Sequence, residues 1–330
     1  MTYFYHLWRK DNQELRMFSP ANPISDKPPI ISLVRIFATV VLGFVIVGPM
    51  LGVLATMSFY DGDLLRDIAN PTPTPELRNA LLVMQATVSF VGLIMLPVIH
   101  ITQLERKSLK DFFPEDQHLI TMLLVVAGIG LAFPIAMSPL AEWNLNIHFP
   151  EFMRAFEEWA REEEDKLAKV TAVFTNINTP RDLSVSLLVI ALLPAIGEEL
   201  VFRGLLQQEF WRSSKNIHVA IWLSAFVFSA IHMQFYGFIP RLLLGALFGY
   251  LYYWSGNLLV AMFAHFFNNA FAVVMVYLNN IKATSINVED GESAPIQYVL
   301  ACILLTGALL YYAMNHYKQV RLQRNDLPIR

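Results

Sequence analysis

The sequence has little charge and almost no cysteine. Only 15% of its 330 residues are charged, against about 25% in a typical soluble domain, and 55% are hydrophobic. With a net charge of -3 and no basic stripe, we expect no nucleic-acid partner. The lone Cys302 excludes an intrachain disulfide and a metal site made of cysteines alone. The low charge and the high hydrophobic fraction favour an integral membrane protein. The N-terminus lacks the apolar core of a signal peptide, so none is expected.

Long apolar runs are abundant. A bilayer core of about 30 Å requires about 20 apolar residues in one helix, and eight segments approach that length. They cover 33–58, 80–102, 119–140, 183–208, 216–234, 237–254, 257–279 and 296–315. Helices are expected because backbone polar groups find no water partner in hydrocarbon. The sequence therefore predicts an all-α, polytopic membrane helix bundle of about eight transmembrane helices in a lipid bilayer.

The predicted chain has five parts. They are a cytoplasmic N-terminal segment (1–32), three transmembrane helices (33–140), an extramembrane loop (141–182), a core (183–280), and the last transmembrane helix with a cytoplasmic tail (281–330). Lysine and arginine near span ends are retained on the cytoplasmic side, and their distribution favours both termini inside. We expect the protein to lie in a bacterial plasma membrane.

Part of the 141–182 loop has helical periodicity. Between residues 151 and 170 an apolar face comprises Phe152, Phe156, Trp159, Leu167 and Val170, and an acidic face includes Glu162, Glu163, Glu164 and Asp165. This pattern predicts an amphipathic extramembrane helix. The helix either lies against the bundle as a solvated surface element or serves as a lid that gates substrate.

A few polar residues lie within the apolar spans, where a charge costs at least about 2.5–3.5 kcal/mol at a helix centre. They are Arg35 in the first span, Glu198, Glu199 and Arg203 in the fourth, His232 in the fifth, Arg241 in the sixth, and His265, Asn268 and Asn269 in the seventh. Such costly groups mark candidate functional sites.

The two adjacent glutamates differ in their expected surroundings. Residues four apart share a helix face, so Glu199 and Arg203 are predicted to form an ion pair. Glu198 points about 100° away and keeps a carboxylate free to take a proton. Gly197 has no side chain and would let another helix or a peptide backbone come close.

Two further pairs have the same spacing, Phe228 with His232 and His265 with Asn269. Together with Glu198 they could form one polar pocket that transfers protons to and from water. The alternative for each histidine or asparagine alone is a hydrogen bond between helices.

These motifs resemble the CAAX protease and bacteriocin-processing family (CPBP, also called Abi) of intramembrane endopeptidases, which includes the type II CAAX prenyl endopeptidases. The family's E-E-x-x-x-R matches Glu198, Glu199 and Arg203, its F-x-x-x-H matches Phe228 and His232, and its H-x-x-x-N matches His265 and Asn269. The resemblance covers about 183–280, which makes this core the expected catalytic part.

The resemblance implies hydrolysis of a peptide bond in a peptide or membrane-protein substrate. Glu198 and His232 would activate the attacking water, and His265 and Asn269 would stabilise the oxyanion. Glu199, Arg203 and Phe228 would support them. Two histidines and a glutamate also suit zinc, which would take Glu198, His232 and His265. Metal-free activation is preferred, because Asn269 is a better oxyanion donor than zinc ligand and no H-E-x-x-H is present.

Two other functions use the same residues. One is a non-catalytic membrane scaffold, or a partner of the bacteriocin-immunity type, that keeps the fold. The other is a transporter with a proton relay through Glu198 and the histidines. The presence of every motif residue favours the enzyme, and the absence of a recognisable internal repeat disfavours the transporter.

Overall fold

The computed structural model describes residues 27–286 and 291–325, and these residues form helices without a strand. The helices are α1 (Pro29–Thr56), α2 (Leu64–Ala69), α3 (Pro75–Leu104), α4 (Leu119–Leu145), α5 (Arg154–Phe174), α6 (Pro180–Ser214), α7 (Ile217–Ala230), α8 (Phe238–Ser255), α9 (Leu258–Asn280) and α10 (Ile296–Asn325). Seven of the described segments are long and apolar enough to cross a membrane. The protein is a multi-pass integral membrane protein, and the predicted fold class is confirmed.

The predicted count of eight spans is not confirmed, because the fifth segment forms a shorter helix. Helix α7 has 14 residues, or about 21 Å, which is less than the bilayer core. The chain turns at Met233, whose φ is 54°, so His232 lies just beyond the helix. The predicted cytoplasmic segment 1–32 lies largely outside the described residues, as does the end of the tail, and the orientation stays a prediction.

Helix α6 is much longer than its predicted span. It begins with Pro180 after a capping box in which Thr179 and Asp182 bond to each other's backbone N–H groups. It continues for 35 residues, about 52 Å, and ends at Lys215 in a left-handed conformation. The predicted span 183–208 therefore ended too early, and Glu198 lies near the middle of this helix.

Three of the long helices contain a π-helical segment followed by a proline. These segments are Val41–Val47 before Pro49, Ser89–Met95 before Pro97, and Leu187–Leu192 before Pro194. Proline has no N–H to bond the carbonyl four residues before it, and the π-helical segment shifts the neighbouring hydrogen bonds by one residue. The third segment directly precedes the two glutamates.

Glycines allow α3 to approach its neighbours closely. A Cβ added to Gly43 of α1 would lie 2.8 Å from the Cα of Gly92 in α3. A Cβ added to Gly197 of α6 would lie 2.5 Å from the Cβ of Leu93. Gly197 thus admits another helix, as the sequence suggested, and α6 is held directly against α3 beside the polar residues.

The amphipathic helix is present as α5, but two of its residues face differently from the prediction. Glu164, which was assigned to the acidic outer face, is half-buried and accepts a hydrogen bond from the backbone N–H of Tyr236. Phe152, which was assigned to the apolar face, is 86% exposed. The periodicity located the helix correctly, but it could not show that the turn before α8 passes beneath Glu164.

Candidate active site

A cavity of about 520 Å³ lies among α4, α6, α8 and α9, at the end of α7. Its polar lining residues are Glu198, His232, Tyr236, Arg241, His265, Asn268 and Asn269, and its apolar wall includes Phe133, Met137 and Leu244. All four predicted catalytic side chains, from Glu198, His232, His265 and Asn269, therefore line one space. Helix α6 contributes Glu198, the end of α7 contributes His232, and α9 contributes His265 and Asn269.

The length of α6 explains why Glu198 and His232 line the same cavity. Glu198 lies about 26 Å before the turn at Lys215, measured along α6, and His232 lies about 26 Å after that turn, measured along α7. Because α6 and α7 run back to back from that turn, the two side chains reach the same level. A fourth helix that ended with the predicted span at residue 208 would have left them at different depths.

Glu199 lies at the centre of a buried hydrogen-bond network. Its Oε1 accepts from Nη1 of Arg203 at 2.7 Å and from Nδ1 of His265 at 2.8 Å. The side chains of Glu199 and Arg203 are both 0% exposed. Arg203 also donates from Nη2 to the carbonyl oxygen of Gly245 at 2.6 Å, which ties α6 to α8. The ion pair expected from the four-residue spacing is thus present, and a third helix joins it through His265.

Aromatic rings enclose this network. The guanidinium of Arg203 lies 4.9 Å from the ring centroid of Phe228, close enough for a cation–π contact. The Phe228 ring meets His232 edge-on at 5.1 Å, and Phe248 stacks on His265 at 5.0 Å. Phe228 therefore supports an arginine and a histidine at once, which gives a physical reason for an aromatic residue at this position.

Glu198 differs from its neighbour because it faces the cavity. Its side chain is 16% exposed, and its Oε2 lies 3.8 Å from Nε2 of His265. That separation is longer than a hydrogen bond. The carboxylate is therefore close to an imidazole without being bonded to it, and it keeps acceptor capacity for a ligand in the cavity.

The hydrogen bonds fix which nitrogen of His232 carries a proton. Nδ1 lies 2.7 Å from the carbonyl oxygen of Phe228. A carbonyl can only accept, so Nδ1–H donates and a neutral ring keeps its lone pair on Nε2. Because His232 lines the cavity, this lone pair is suited to accept a hydrogen bond from water.

The same reasoning shows in which protonation state His265 could donate to an oxyanion, the role that the resemblance implies for it. Glu199 is paired with Arg203 and is therefore a carboxylate, which can only accept, so Nδ1 of His265 carries the proton. A neutral ring would then present a lone pair at Nε2. His265 can donate into the cavity only as an imidazolium, which Glu199 and Glu198 on its two sides would stabilise.

Asn269 has a neighbour that orients its amide. Nδ2 of Asn268 donates to Oδ1 of Asn269 at 3.2 Å, which directs the Nδ2 of Asn269 away from Asn268. That Nδ2 lies 3.5 Å from the carbonyl oxygen of Ile190, which Pro194 cannot bond in the usual helical pattern because it has no N–H. Asn269 therefore keeps N–H capacity for the cavity.

Arg241 and Asn268 are cavity residues that the motifs did not include. A signal for both was present, since each is a polar side chain inside an apolar span. Tyr236, whose side chain also lines the cavity, had no such signal. Its position depends on the turn Phe235–Gly237, which returns the chain from α7 to α8.

The proposed zinc ligands suit a metal in chemistry but not in arrangement. His232 and His265 each donate Nδ1–H to a fixed acceptor, as zinc-binding histidines do. In the described part of the chain, however, no three histidine, cysteine or acidic side chains are grouped so that they could hold a metal ion.

Known proteins resemble the region that carries this site. Residues 180–271 match the family described as "Type II CAAX prenyl endopeptidase Rce1-like". The resemblance is thereby confirmed for this segment. The match begins at the start of α6 and ends within α9, so it includes every residue of the three motifs.

A curated relative is similar over part of its length. The "Uncharacterized protein YpbD" of Bacillus subtilis (strain 168) is 30% identical over 114 residues, which is 33% of this chain. The match spans 53%, or about half, of that relative. No solved structure matches the chain.

Proposed function

We propose that the protein is an intramembrane endopeptidase that hydrolyses a peptide bond of a peptide or membrane-protein substrate. The observation that carries this proposal is that Glu198, His232, His265 and Asn269 line one cavity inside a membrane bundle. The match to type II CAAX prenyl endopeptidases over 180–271 supports the same reaction class.

Glu198 and His232 activate the attacking water. Glu198 is the general base, because its carboxylate faces the cavity and is not consumed by an ion pair at hydrogen-bond distance. The Nε2 lone pair of His232 accepts the second hydrogen of the same water and orients it. Deprotonation by a positioned base contributes typically about 10²–10⁴-fold to such a reaction.

Asn269 and His265 stabilise the oxyanion of the tetrahedral intermediate. Asn269 donates from Nδ2, and His265 donates from Nε2 as an imidazolium held by Glu199. Each donor aimed at the developing negative charge is worth about 2.7–4 kcal/mol in a water-poor site. When the intermediate collapses, Glu198 returns the proton that it took from water to the leaving amine.

Glu199, Arg203 and Phe228 support these groups, and of the three only Phe228 also lines the cavity. Glu199 holds the ring of His265, Arg203 neutralises Glu199, and Phe228 packs against both Arg203 and His232. The side chains of Glu199 and Arg203 are 0% exposed, so they position the reactive groups rather than react themselves.

The test is cleavage of a synthetic peptide library by the purified protein in lipid nanodiscs, with products identified by mass spectrometry in ¹⁸O-labelled water. We expect defined cleavage products that carry one ¹⁸O atom at the new carboxyl end. The Glu198→Gln variant has the same shape without the base and should give none. Equal cleavage by both proteins would disprove the role of Glu198. If the unaltered protein cleaves no peptide but still binds a membrane-protein partner, the alternative function of a non-catalytic membrane scaffold would be favoured.

A further inference from the structure

Arg241 is a cationic residue of the cavity that the proposed mechanism does not use. It lies in the first turn of α8 and lines the same space as Glu198. Its Nη2 donates to Oε1 of Gln234 at 2.6 Å, which fixes the guanidinium from one side. The side chain is therefore held in place next to the proposed catalytic base.

The other end of this guanidinium is unsatisfied. Nη1 of Arg241 is buried, and no hydrogen-bond partner for it is found among the described residues. An unpaired buried donor is destabilising, and more so when it is charged. Nη1 gains a partner if the side chain shifts toward a ligand in the cavity.

The two carboxylates whose charges act on Arg241 do not supply that partner. The charges of Glu164 and Glu198 both act on Arg241, but neither side chain bonds to Nη1. Burial raises the pKa of Glu164, and the hydrogen bond from the backbone N–H of Tyr236 opposes that rise. Glu164 is thus bonded to the turn before α8, but its Oε2 is buried without a hydrogen-bond partner among the described residues, as Nη1 of Arg241 is. Glu198 is the proposed base.

We propose that Arg241 binds a carboxylate of the substrate peptide and so determines which peptides are cleaved. The planar fork of arginine fits a carboxylate through two parallel N–H···O bonds. The apolar wall of Phe133, Met137 and Leu244 would hold the aliphatic part of the same ligand. This inference rests on the proposed function. The carboxylate can come from the free end of the peptide or from an aspartate or glutamate side chain.

The experiment measures peptide binding and cleavage separately. Binding is measured with the full chain carrying Glu198→Gln, which retains the cavity but not the base, in nanodiscs. The probes are one mixed-sequence peptide pool in free-acid and C-terminally amidated forms, and the same two forms with every acidic residue replaced by its amide. We expect loss of the recognised carboxylate to weaken binding roughly tenfold to a hundredfold.

Arg241→Gln should abolish this preference, so that all four pools bind alike. Arg241→Lys keeps the charge without the fork and should retain a reduced preference. Arg181→Gln, which removes an exposed arginine outside the cavity, should bind as the parent does. A melting temperature for each variant shows whether it is folded.

Three outcomes would overturn the inference. One is equal binding of all pools by the parent protein. Another is a carboxylate preference that persists in a folded Arg241→Gln variant. The third is a preference lost equally in Glu164→Gln, which would identify Glu164 as the partner of Arg241 and the effect as structural. Carboxylate-selective binding without any cleavage by the unaltered chain would contradict the peptidase proposal and leave the carboxylate site supported.

Discussion

Glu198 and Glu199 are neighbours in sequence and yet occupy two different regions of the molecule. Glu199 is 0% exposed and bonded to both an arginine and a histidine, whereas Glu198 is 16% exposed and faces the cavity. The 100° between successive residues of a helix separates them. The carboxylate of Glu199 holds helices of the bundle together, and that of Glu198 is available to react, although the two side chains are chemically identical.

The comparison shows how a membrane interior accommodates several charges. Arg203 lies between Glu199, the Gly245 carbonyl and the Phe228 ring, so its charge is compensated within the protein. Arg241 is held by Gln234 on one side only. The buried network is thus closed in charge, although Nε of Arg203 and Oε2 of Glu199 have no hydrogen-bond partner among the described residues. Arg241 differs because it lines the cavity.

The largest effect is expected on breaking the closed network. Arg203→Met leaves Glu199 buried with only His265 as partner, and loss of one partner of a buried pair costs about 3–5 kcal/mol. Thermal unfolding in nanodiscs measures this loss. The matched control is Arg154→Met, which breaks exposed pairs with Glu151 and Glu158 at the start of α5 and should leave the unfolding midpoint unchanged. Equal destabilisation by the two substitutions would contradict a special role for the network.

On the cavity side, Asn269→Ala is expected to reduce kcat roughly 10²–10³-fold with little change in KM, because its amide is proposed to bond the oxyanion only in the transition state. Steady-state cleavage rates measure the change. The control is Asn280→Ala on the same helix, whose amide bonds the Thr175 and Ile177 carbonyls away from the cavity. It should leave kcat unaltered, and a change confined to KM in Asn269→Ala would contradict the assigned role.

A smaller effect is expected at Gly197, which directly precedes Glu198 and Glu199 on α6. Gly197→Ala places a Cβ 2.5 Å from that of Leu93, so α6 must move from α3 or Leu93 must shift. Overpacking of this kind costs about 1–3 kcal/mol, and it would also displace Glu198. Gly307→Ala on α10, where the added Cβ meets nothing within 4 Å, is the control and should be neutral or stabilising. A Gly197→Ala variant as stable and active as the parent would show that this close approach is not needed.

The smallest effect is expected from chelators, because the described histidine, cysteine and acidic side chains are not arranged to hold a metal. Prolonged dialysis against a strong chelator should leave the cleavage rate unchanged. Inactivation by the chelator that added zinc reverses would contradict metal-free activation and assign Glu198, His232 and His265 to the metal.

The sequence predicted those parts of the site that depend on one helix. The four-residue spacing correctly predicted that Glu199 meets Arg203, and the apolar runs predicted the bundle. Contacts between helices were beyond such rules, because the bond from His265 to Glu199 depends on how α9 packs against α6. The proton on Nδ1 of His265 follows from that contact and not from the residue type.

Chain turns limited the other predictions. Arg241 was recognised as a polar residue in a span, but its entry into the cavity depends on the turn Phe235–Gly237 between α7 and α8. The same turn places the backbone N–H of Tyr236 beneath Glu164, which periodicity had put on the outer face. A 14-residue α7 leaves room for this turn, whereas a full transmembrane span would not.

A paired substitution of the two glutamates tests the central claim most directly. Glu198→Gln and Glu199→Gln each remove one negative charge with almost no change in shape, and the cleavage rate and the unfolding midpoint are measured for both. The account predicts that Glu198→Gln abolishes cleavage at an unchanged midpoint, whereas Glu199→Gln lowers the midpoint by several degrees. A Glu198→Gln protein that still cleaves, or one that unfolds as readily as Glu199→Gln, would contradict it.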